Sequence, residues 1–422
     1  MQAEIELPIL HAGQSSIYRA AGRRNAVRSG RRWGKTVMLS TIAADRGAKG
    51  RKAGVFTPQH KQWSEIYDET LRILQPIIKR ANKNEAVIRT INGGSIDFWG
   101  TDDNELAGRG REYDDLLMDE AAFGRANLKT EVWPKAMRPT LLTRRGRAWV
   151  FSTPKGINPD NFFYDICHDD EWTQHYAPTS TNPFVPLDEL EKERLSNHPL
   201  VFRQEYLAEF VDWSGIAFFD TKNMLENGQP VDLPPQVDAV FAVIDTALKD
   251  GKEHDGTAVS FYAVNELYGH PIILLDWDII SIEGSLLESW LPSVYQRLEA
   301  LAKQTRARKG SLGAFIEDKT SGTILLQQAK RRGWAAHSLP EKMTAAGKAG
   351  RALSVSGYVY QGKLKISRFA FDKVTTYKGA TRNHWLAQVT GFRIGAKEGA
   401  ADDLLDTMCY GVAIVCGDGK GF

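Results

Sequence analysis

The residues with the clearest chemical potential form a basic, glycine-flanked loop near the N-terminus. Residues 29–36 read SGRRWGKT, which fits the phosphate-loop pattern G-x-x-x-x-G-K-[ST] except that Ser29 replaces the first glycine. In such loops backbone N–H groups and a positive helix end hold phosphates, the lysine reaches the outer phosphates and the hydroxyl binds Mg²⁺. The residues predicted to contact a nucleotide here are Ser29, Gly30, Arg31, Arg32, Gly34, Lys35 and Thr36. The alternative is an ordinary strand–turn–helix corner.

Two later strand ends carry residues that would complete a nucleotide site. DDLLMDEAA places Asp119 and Glu120 after a buried strand, where Asp119 would hold Mg²⁺ and Glu120 would polarise an attacking water. RAWVFSTPKG ends in Ser152 and Thr153, whose hydroxyls would sense the γ-phosphate. Surface acids and simple turn chemistry are the alternatives, but the Asp-Glu order after a phosphate loop favours ATP hydrolysis.

Acidic residues in the second half of the chain indicate a metal site. Asp245 ends the strand VFAVID, GAFIED ends in two acids, and the final predicted helix opens with ADDLLD. Carboxylates that converge from separate elements repel each other unless cations lie between them, and oxygen ligands favour two Mg²⁺ or Mn²⁺ ions that cleave phosphodiesters. The candidate metal ligands are Asp245, Glu317, Asp318, Asp402, Asp403 and Asp406. The alternative is that these acids are helix caps and solvated turns.

Strand and helix patterns divide the chain into two α/β halves. Short apolar strands alternate with helical stretches before residue 212, and a strand-rich pattern followed by helices begins near residue 238. We predict domains at 1–212 and 237–422, joined by a glycine- and proline-punctuated linker at 213–236. In the strand GAFIED, alternation puts Phe315 and Glu317 on the same face.

The composition is that of a folded protein without a membrane segment. Hydrophobic residues make up 42% of the 422, the net charge is +2, and the N-terminus shows no signal-peptide pattern. The three cysteines, Cys167, Cys409 and Cys416, have neither zinc spacing nor a disulfide framework. We therefore expect a cytoplasmic protein that does not bind zinc.

The order of these motifs resembles that of the large terminase subunit of tailed bacteriophages. LHAGQ resembles the adenine-contacting motif of that family, which implies this role for Gln14, and SGRRWGKT, LLMDE and FSTPKG resemble its ATPase motifs. FRQEYLAEFVDWSG, residues 202–215, resembles the segment that leaves its ATPase domain. VIDTA, FIEDKTSG and ADDLLDTM resemble its nuclease motifs, which implies Glu317 over Asp318 and Asp403 over Asp402, with Asp406 in support.

The resemblance implies an N-terminal P-loop ATPase domain of the ASCE/RecA-like class and a C-terminal ribonuclease H-like nuclease domain. It implies ATP with Mg²⁺ at the first site and two Mg²⁺ or Mn²⁺ ions at the second, with Glu120, Asp245, Glu317 and Asp403 as catalytic residues. The implied partners are double-stranded DNA, the procapsid portal protein and the small terminase subunit. The implied setting is the host cytoplasm, where a ring of subunits docks transiently on the portal vertex.

Two other functions fit the same residues. A host helicase-nuclease of DNA repair or defence would need strand-separation motifs, and the sequence shows none beyond the shared core. An ATP-gated DNA-binding switch would have purely structural carboxylates in its second half. Strand separation would indicate the helicase-nuclease, and a Glu120→Gln variant and an Asp245 variant that both behave like the parent would favour the switch.

Overall fold

A computed structural model shows two compact units. It describes residues 5–59, 61–102, 105–213, 217–246, 256–266, 271–281, 287–318, 321–344, 347–393 and 403–417. The first unit comprises Met1–Arg194 and Pro199–Asp212, and the second comprises Leu195–His198 and Trp213–Phe422. The predicted fold class, a P-loop domain followed by a ribonuclease H-like domain, is confirmed.

The first unit is built on an eight-stranded sheet. Its strands are β1 (Arg24–Ser29), β2 (Lys52–Thr57), β3 (Ile78–Asn82), β4 (Val87–Thr90), β5 (Ser95–Gly100), β6 (Asp115–Met118), β7 (Arg147–Ser152) and β8 (Thr173–Ala177). Their spatial order is β3-β4-β5-β2-β6-β7-β1-β8, and every pair is parallel except those of β4 with β3 and β5. The central strands are almost continuously apolar because the sheet is covered on both faces.

Helices cover this sheet and bring its connections back to one edge. They are α1 (Ala12–Arg19), α2 (Lys35–Ala48), α3 (Trp63–Leu74), α4 (Phe162–Ile166), α5 (Leu187–Ser196) and α6 (Pro199–Glu205). A π-helical segment, Leu128–Met137, and several 3₁₀ turns complete the set. Because β1, β6 and β7 are parallel neighbours, their carboxyl ends lie side by side.

The second unit contains a six-stranded mixed sheet and a short hairpin. Its strands are β9 (Ala239–Thr246), β10 (Thr257–Val264), β11 (Ile272–Ile280), β12 (Ser311–Ile316), β13 (Ala336–Ser338), β14 (Leu364–Ile366), β15 (Thr375–Tyr377) and β16 (Ala380–Arg382). The sheet order is β13-β12-β9-β10-β11-β14, with β10 antiparallel to both neighbours and β12 parallel to β9. Counted from β9 and read from the β11 side, the strands β11, β10, β9, β12 and β13 are the third, second, first, fourth and fifth of the sheet. This order, with the second strand antiparallel to the others, is that of the ribonuclease H-like fold.

Seven helices surround the second sheet in the described part of the chain. They are α7 (Leu287–Gln304), α8 (Ser321–Arg331), α9 (Glu341–Thr344), α10 (Lys348–Tyr360), α11 (Arg368–Asp372), α12 (His384–Gly391) and α13 (Asp403–Cys416). Helix α13 is buried along most of its length and packs on β9, β10 and α10. Residues 217–236, where the sequence indicates a linker, contribute Phe218, Phe219 and Met224 to the same core. None of the helices described is long and apolar enough to cross a membrane.

Candidate phosphate and metal sites

The loop after β1 is fixed by hydrogen bonds to its backbone. The N–H of Arg31 donates to Glu205 O at 2.7 Å, and Thr179 Oγ1 and Asn182 Nδ2 donate to the carbonyls of Arg31 and Arg32, both at 2.7 Å. Arg32 has φ +60°, so the loop turns sharply before α2 begins at Lys35. The first N–H groups of a helix have no acceptor within the helix, so those of α2 are available to an anion.

Two positions in this loop require glycine, Gly34 because of its backbone conformation and Gly30 because of close packing. Gly34 has φ +103°, a conformation that side chains rarely adopt. Gly30 has no such φ, but a Cβ there would lie 2.3 Å from Thr179 Oγ1 and 2.5 Å from Tyr206 O. Ser29 is buried at the end of β1, and its hydroxyl has no hydrogen-bond partner among the described residues. The nucleotide contact predicted for Ser29 therefore stays a prediction.

Gln14 on α1 lies against the end of the loop. Its Nε2 donates to Gly34 O at 2.9 Å, and its Oε1 accepts from the N–H of His11 at 3.0 Å. The His11 ring meets Trp33 edge-on, and Trp33 Nε1 donates to Thr181 Oγ1 at 2.9 Å. Gln14 thus links α1 to the phosphate loop, next to the place where the sequence predicts adenine recognition.

The predicted acidic and hydroxyl residues meet the loop at the carboxyl edge of the sheet. Lys35 Nζ donates to Thr153 Oγ1 at 3.0 Å and lies 3.4 Å from Glu120 Oε1. Thr36 Oγ1 donates to Asp119 Oδ2 at 3.4 Å. These contacts join α2 to the ends of β6 and β7, which the sequence placed together only by motif order.

Ser152 connects the ends of β6 and β7. Its Oγ accepts from the N–H of Ala122 at 3.1 Å and lies 3.4 Å from Glu120 Oε2. Glu120 itself has φ +51°, which is uncommon for a residue other than glycine. A change at Ser152 would therefore reach the Glu120 carboxylate directly.

Electrostatics make Asp119 a receptive position for a cation. Burial, together with the adjacent charge of Glu120, raises the pKa of Asp119 to about 7, and Lys35 opposes this rise. A divalent ion beside the carboxylate would stabilise its charged form. Carboxylate and hydroxyl oxygens are the ligands that Mg²⁺ prefers, so Asp119 and Thr36 fit this ion.

The two loop arginines lie beside a cleft of about 550 Å³, whose lining also includes Phe184 and Tyr206. Arg31 forms an ion pair with Glu205, with 2.6 Å between Nε and Oε2, and its side chain remains largely exposed. The two arginines therefore face an open part of the first unit.

In the second unit four predicted carboxylates lie within electrostatic reach of one another. Asp245 is the penultimate residue of β9, Glu317 follows the neighbouring strand β12, and Asp403 and Asp406 lie on the first turn of α13; all four are buried. Burial raises the pKa of Asp245 well above its usual value, and the charges of Asp406, Asp403 and Glu317 raise it further. The carboxyl of Glu317 thus lies close enough to Asp245 to affect its pKa.

The other predicted metal ligands have different surroundings. Asp318 is exposed, and its Oδ1 accepts from Thr323 Oγ1 at 2.7 Å, so it points away from the buried carboxylates. Asp402 lies outside the described residues. Asp406 accepts two hydrogen bonds from Arg351. Within the described ranges no three acidic, histidine or cysteine side chains already form a metal-binding geometry, but the oxygen donors of Asp245, Glu317 and Asp403 suit Mg²⁺ or Mn²⁺ in kind.

Sequence reasoning missed the supporting residues of both sites. Thr179 and Asn182 hold the phosphate loop, but nothing in the motif points to them. Arg351 on α10 likewise carries no signal of its own. Tyr410, whose ring centre lies 5.4 Å from the guanidinium carbon of Arg351, could have been found, because it follows Asp406 by four residues and so lies on the same face of α13.

The fold and the strand-end residues define a P-loop NTPase domain followed by a ribonuclease H-like domain in one chain. Residues 28–225 match the model of the terminase large subunit, T4likevirus-type, N-terminal. The chain is 30% identical over 152 residues to the terminase large subunit of Escherichia phage T5, covering 35% of this chain and 34% of that protein. It is 26% identical over 252 residues to the terminase large subunit of Thermus virus P23-45, covering 49% of this chain and 50% of that protein.

A solved structure matches over both units. The large terminase of the thermophilic bacteriophage D6E superposes with a TM-score of 0.61 at 13% identity, covering 96% of this chain and 98% of that one. The family model, the relatives and the solved structure all show that the chain is similar to terminase large subunits, the family whose motif order its sequence resembles. It spans between a third and a half of the length of the curated relatives it matches.

Proposed function

We propose that this chain is a DNA-packaging enzyme that hydrolyses ATP to move double-stranded DNA into a procapsid. The observation that carries this proposal is the meeting of Lys35, Thr36, Asp119, Glu120 and Thr153 at one edge of the first sheet. A structure of the D6E large terminase in complex with ATP-gamma-S, with a TM-score of 0.57 at 12% identity, shares the fold. The nucleotide in that relative supports ATP as the ligand here.

Each residue of the first site has a distinct task in hydrolysis. Lys35 and the α2 N–H groups bind phosphates, and Thr36 and Asp119 would hold Mg²⁺, which neutralises phosphate charge when bound. Glu120 orients and polarises the attacking water. Ser152 and Thr153 contact Glu120 and Lys35, so they are placed to pass the state of the γ-phosphate to the rest of the unit.

The second unit would supply DNA cleavage. Asp245, Glu317 and Asp403 would hold Mg²⁺ or Mn²⁺, which supplies a metal-activated water and stabilises charge on the scissile phosphate. The burial of Asp245, Glu317 and Asp403 supports this role, because carboxylates that lie together away from water repel each other unless a cation binds between them. This activity would cut concatemeric DNA at the start and end of packaging.

The proposed partners follow from the family and from the task. DNA would be held mainly through its phosphates, so binding should weaken steeply with salt. A ring of subunits would dock on the portal, with the small terminase subunit bringing the DNA. The proposed setting is the host cytoplasm, at the portal vertex of the procapsid.

Two substitutions test the activities separately. Glu120→Gln keeps the shape of the side chain, and we expect it to abolish DNA-stimulated ATP turnover while preserving nucleotide binding and plasmid nicking. Asp245→Asn should abolish Mn²⁺-dependent nicking and leave ATP turnover nearly unchanged. Asp318→Asn is the matched control, because that acid is exposed. Unchanged ATP turnover in Glu120→Gln together with unchanged nicking in Asp245→Asn would leave only a DNA-binding switch.

A further inference from the structure

Arg351 is a buried cation at the edge of the carboxylate cluster. It lies on α10, and its side chain is 11% exposed. Its Nε donates to Asp406 Oδ1 at 3.0 Å and its Nη2 donates to Asp406 Oδ2 at 2.6 Å. This two-point contact engages both oxygens of Asp406 in the geometry that guanidinium and carboxylate groups prefer.

Tyr410 fixes the position of the Arg351 guanidinium from the other side. The guanidinium carbon lies 5.4 Å from the centre of the Tyr410 ring, which is a cation–π distance. Tyr410 is 1% exposed, and its hydroxyl has no hydrogen-bond partner among the described residues. Charges from Glu317, Asp406 and Asp245 contribute to a raised pKa of Tyr410 whose main cause is burial, so the hydroxyl lies near the carboxylates.

Asp406 therefore differs from the other three acids. Its charge is one of those that raise the pKa of Asp245, so it lies close to the cluster. Its own charge, however, is already neutralised by a buried partner. Separating that pair would leave two uncompensated buried charges, which is costly.

We propose that Arg351 is a positioning residue of the nuclease site: it holds Asp406 out of the metal-ligand set and leaves Asp245, Glu317 and Asp403 as the protein ligands. This inference rests on the proposed nuclease function of the second unit. Arg351 also places one fixed positive charge beside the cluster, and this charge limits how strongly divalent cations are attracted. Asp406, in turn, orients α10 against α13 instead of binding metal.

Mn²⁺ binding distinguishes this role from metal ligation by Asp406. Calorimetry would be done on the full chain without nucleotide or DNA, in an Asp119→Asn background that silences the first site. We expect Arg351→Gln to bind Mn²⁺ on the order of tenfold more tightly, because a repelling charge is lost and Asp406 is released. We expect Arg351→Gln with Asp406→Asn, which replaces the ion pair by a neutral amide pair, to return to about the parental affinity.

Each outcome decides the matter. If Asp406 ligates metal, the double variant binds Mn²⁺ at least tenfold more weakly than the parent, and the proposal is wrong. If Arg351 only supports packing, Arg351→Gln binds Mn²⁺ no more tightly than the parent, which also overturns it. Arg351→Lys keeps the charge beside Asp406, so it should keep parental Mn²⁺ affinity, and a tenfold rise would overturn the charge argument. If Arg351→Gln fails to fold, the double variant decides alone, because it keeps a neutral amide pair and separates parental affinity from the weaker affinity expected if Asp406 ligates metal.

Nicking at saturating Mn²⁺ adds a readout that simple metal affinity does not give. Arg351→Gln should nick plasmid DNA more than tenfold more slowly than the parent although it binds Mn²⁺ more tightly, because an extra carboxylate enters the site. Asp245→Asn is the control for the site itself. If Asp245→Asn binds Mn²⁺ like the parent, the nuclease assignment fails; the response of the Arg351 variants is read separately from that result.

Discussion

The substitution Gly30→Ala tests whether the phosphate loop depends on the clamp formed by Thr179 and Tyr206, which pack against Gly30. The added methyl carbon would lie 2.3 Å from Thr179 Oγ1 and 2.5 Å from Tyr206 O, about 1 Å shorter than ordinary contact. Tyr206 O also accepts from the N–H of Thr179 at 2.8 Å, and Thr179 Oγ1 donates to Arg31 O at 2.7 Å. The methyl group therefore cannot be accommodated without displacing backbone.

The magnitude follows from these contacts. Overpacking of this kind costs about 1–3 kcal/mol, and each hydrogen bond lost as the backbone moves costs about 0.5–1.5 kcal/mol. We expect the unfolding free energy of the first unit to fall by about 2–4 kcal/mol and nucleotide affinity to fall at least about tenfold, because Arg31 moves with the clamp.

Two measurements check this expectation. Scanning calorimetry of the full chain would report the transition of the first unit, and a fluorescent ADP analogue would report binding. Gly391→Ala is the matched control, because a Cβ there meets nothing within 4 Å and the residue ends a helix. Gly30→Ala with parental stability and parental nucleotide affinity would refute the clamp.

Two further predictions concern buried charges of the first unit. Since the pKa of Asp119 is raised to about 7, its carboxyl is protonated below that pH and must lose the proton to accept Mg²⁺. Binding of Mg·ADP at pH 6 should therefore release on the order of one proton, and the affinity for Mg·ADP should rise from pH 6 to pH 8. Calorimetry in two buffers of different ionisation enthalpy measures this release, which Asp119→Asn should remove. Arg46→Met should cost about 3–5 kcal/mol in unfolding free energy, because it leaves Asp115, 2.5 Å from Arg46 Nε, buried without its cation. Arg72→Met, in an exposed pair with Glu69, should not change stability measurably.

The core strands could be predicted because burial on both faces leaves an apolar run followed by a polar strand end. β2, β6 and β7 have this form, and Asp119 and Thr153 directly follow β6 and β7. The hairpin β3–β4 was missed because β3 is largely exposed and its residues, IKRAN, lack an apolar face. An apolar sequence pattern reflects burial, and the residues of β3 are mostly exposed.

In the second unit, the spacing of residues along the sequence predicts which acids share a face but not which of them binds metal. Alternation puts Glu317 on the same face as Phe315, and both are buried, whereas Asp318 is exposed and accepts a hydrogen bond from Thr323. Helical spacing places Asp403 and Asp406 on one face of a helix. It could not distinguish them, because the difference comes from Arg351, which is 55 residues away from Asp406 in the chain and reaches it only through the packing of α10 on α13.

The two sites share one electrostatic construction. In each unit strand ends and one helix bring acids together, and among the described residues a basic side chain lies beside them: Lys35 beside Glu120, and Arg351 on Asp406. Burial is the main cause that raises the pKa values of both Asp119 and Asp245, and the neighbouring carboxylates raise them further. A divalent ion that binds either cluster competes with protons for the carboxylate oxygens, and a nearby basic side chain opposes its binding.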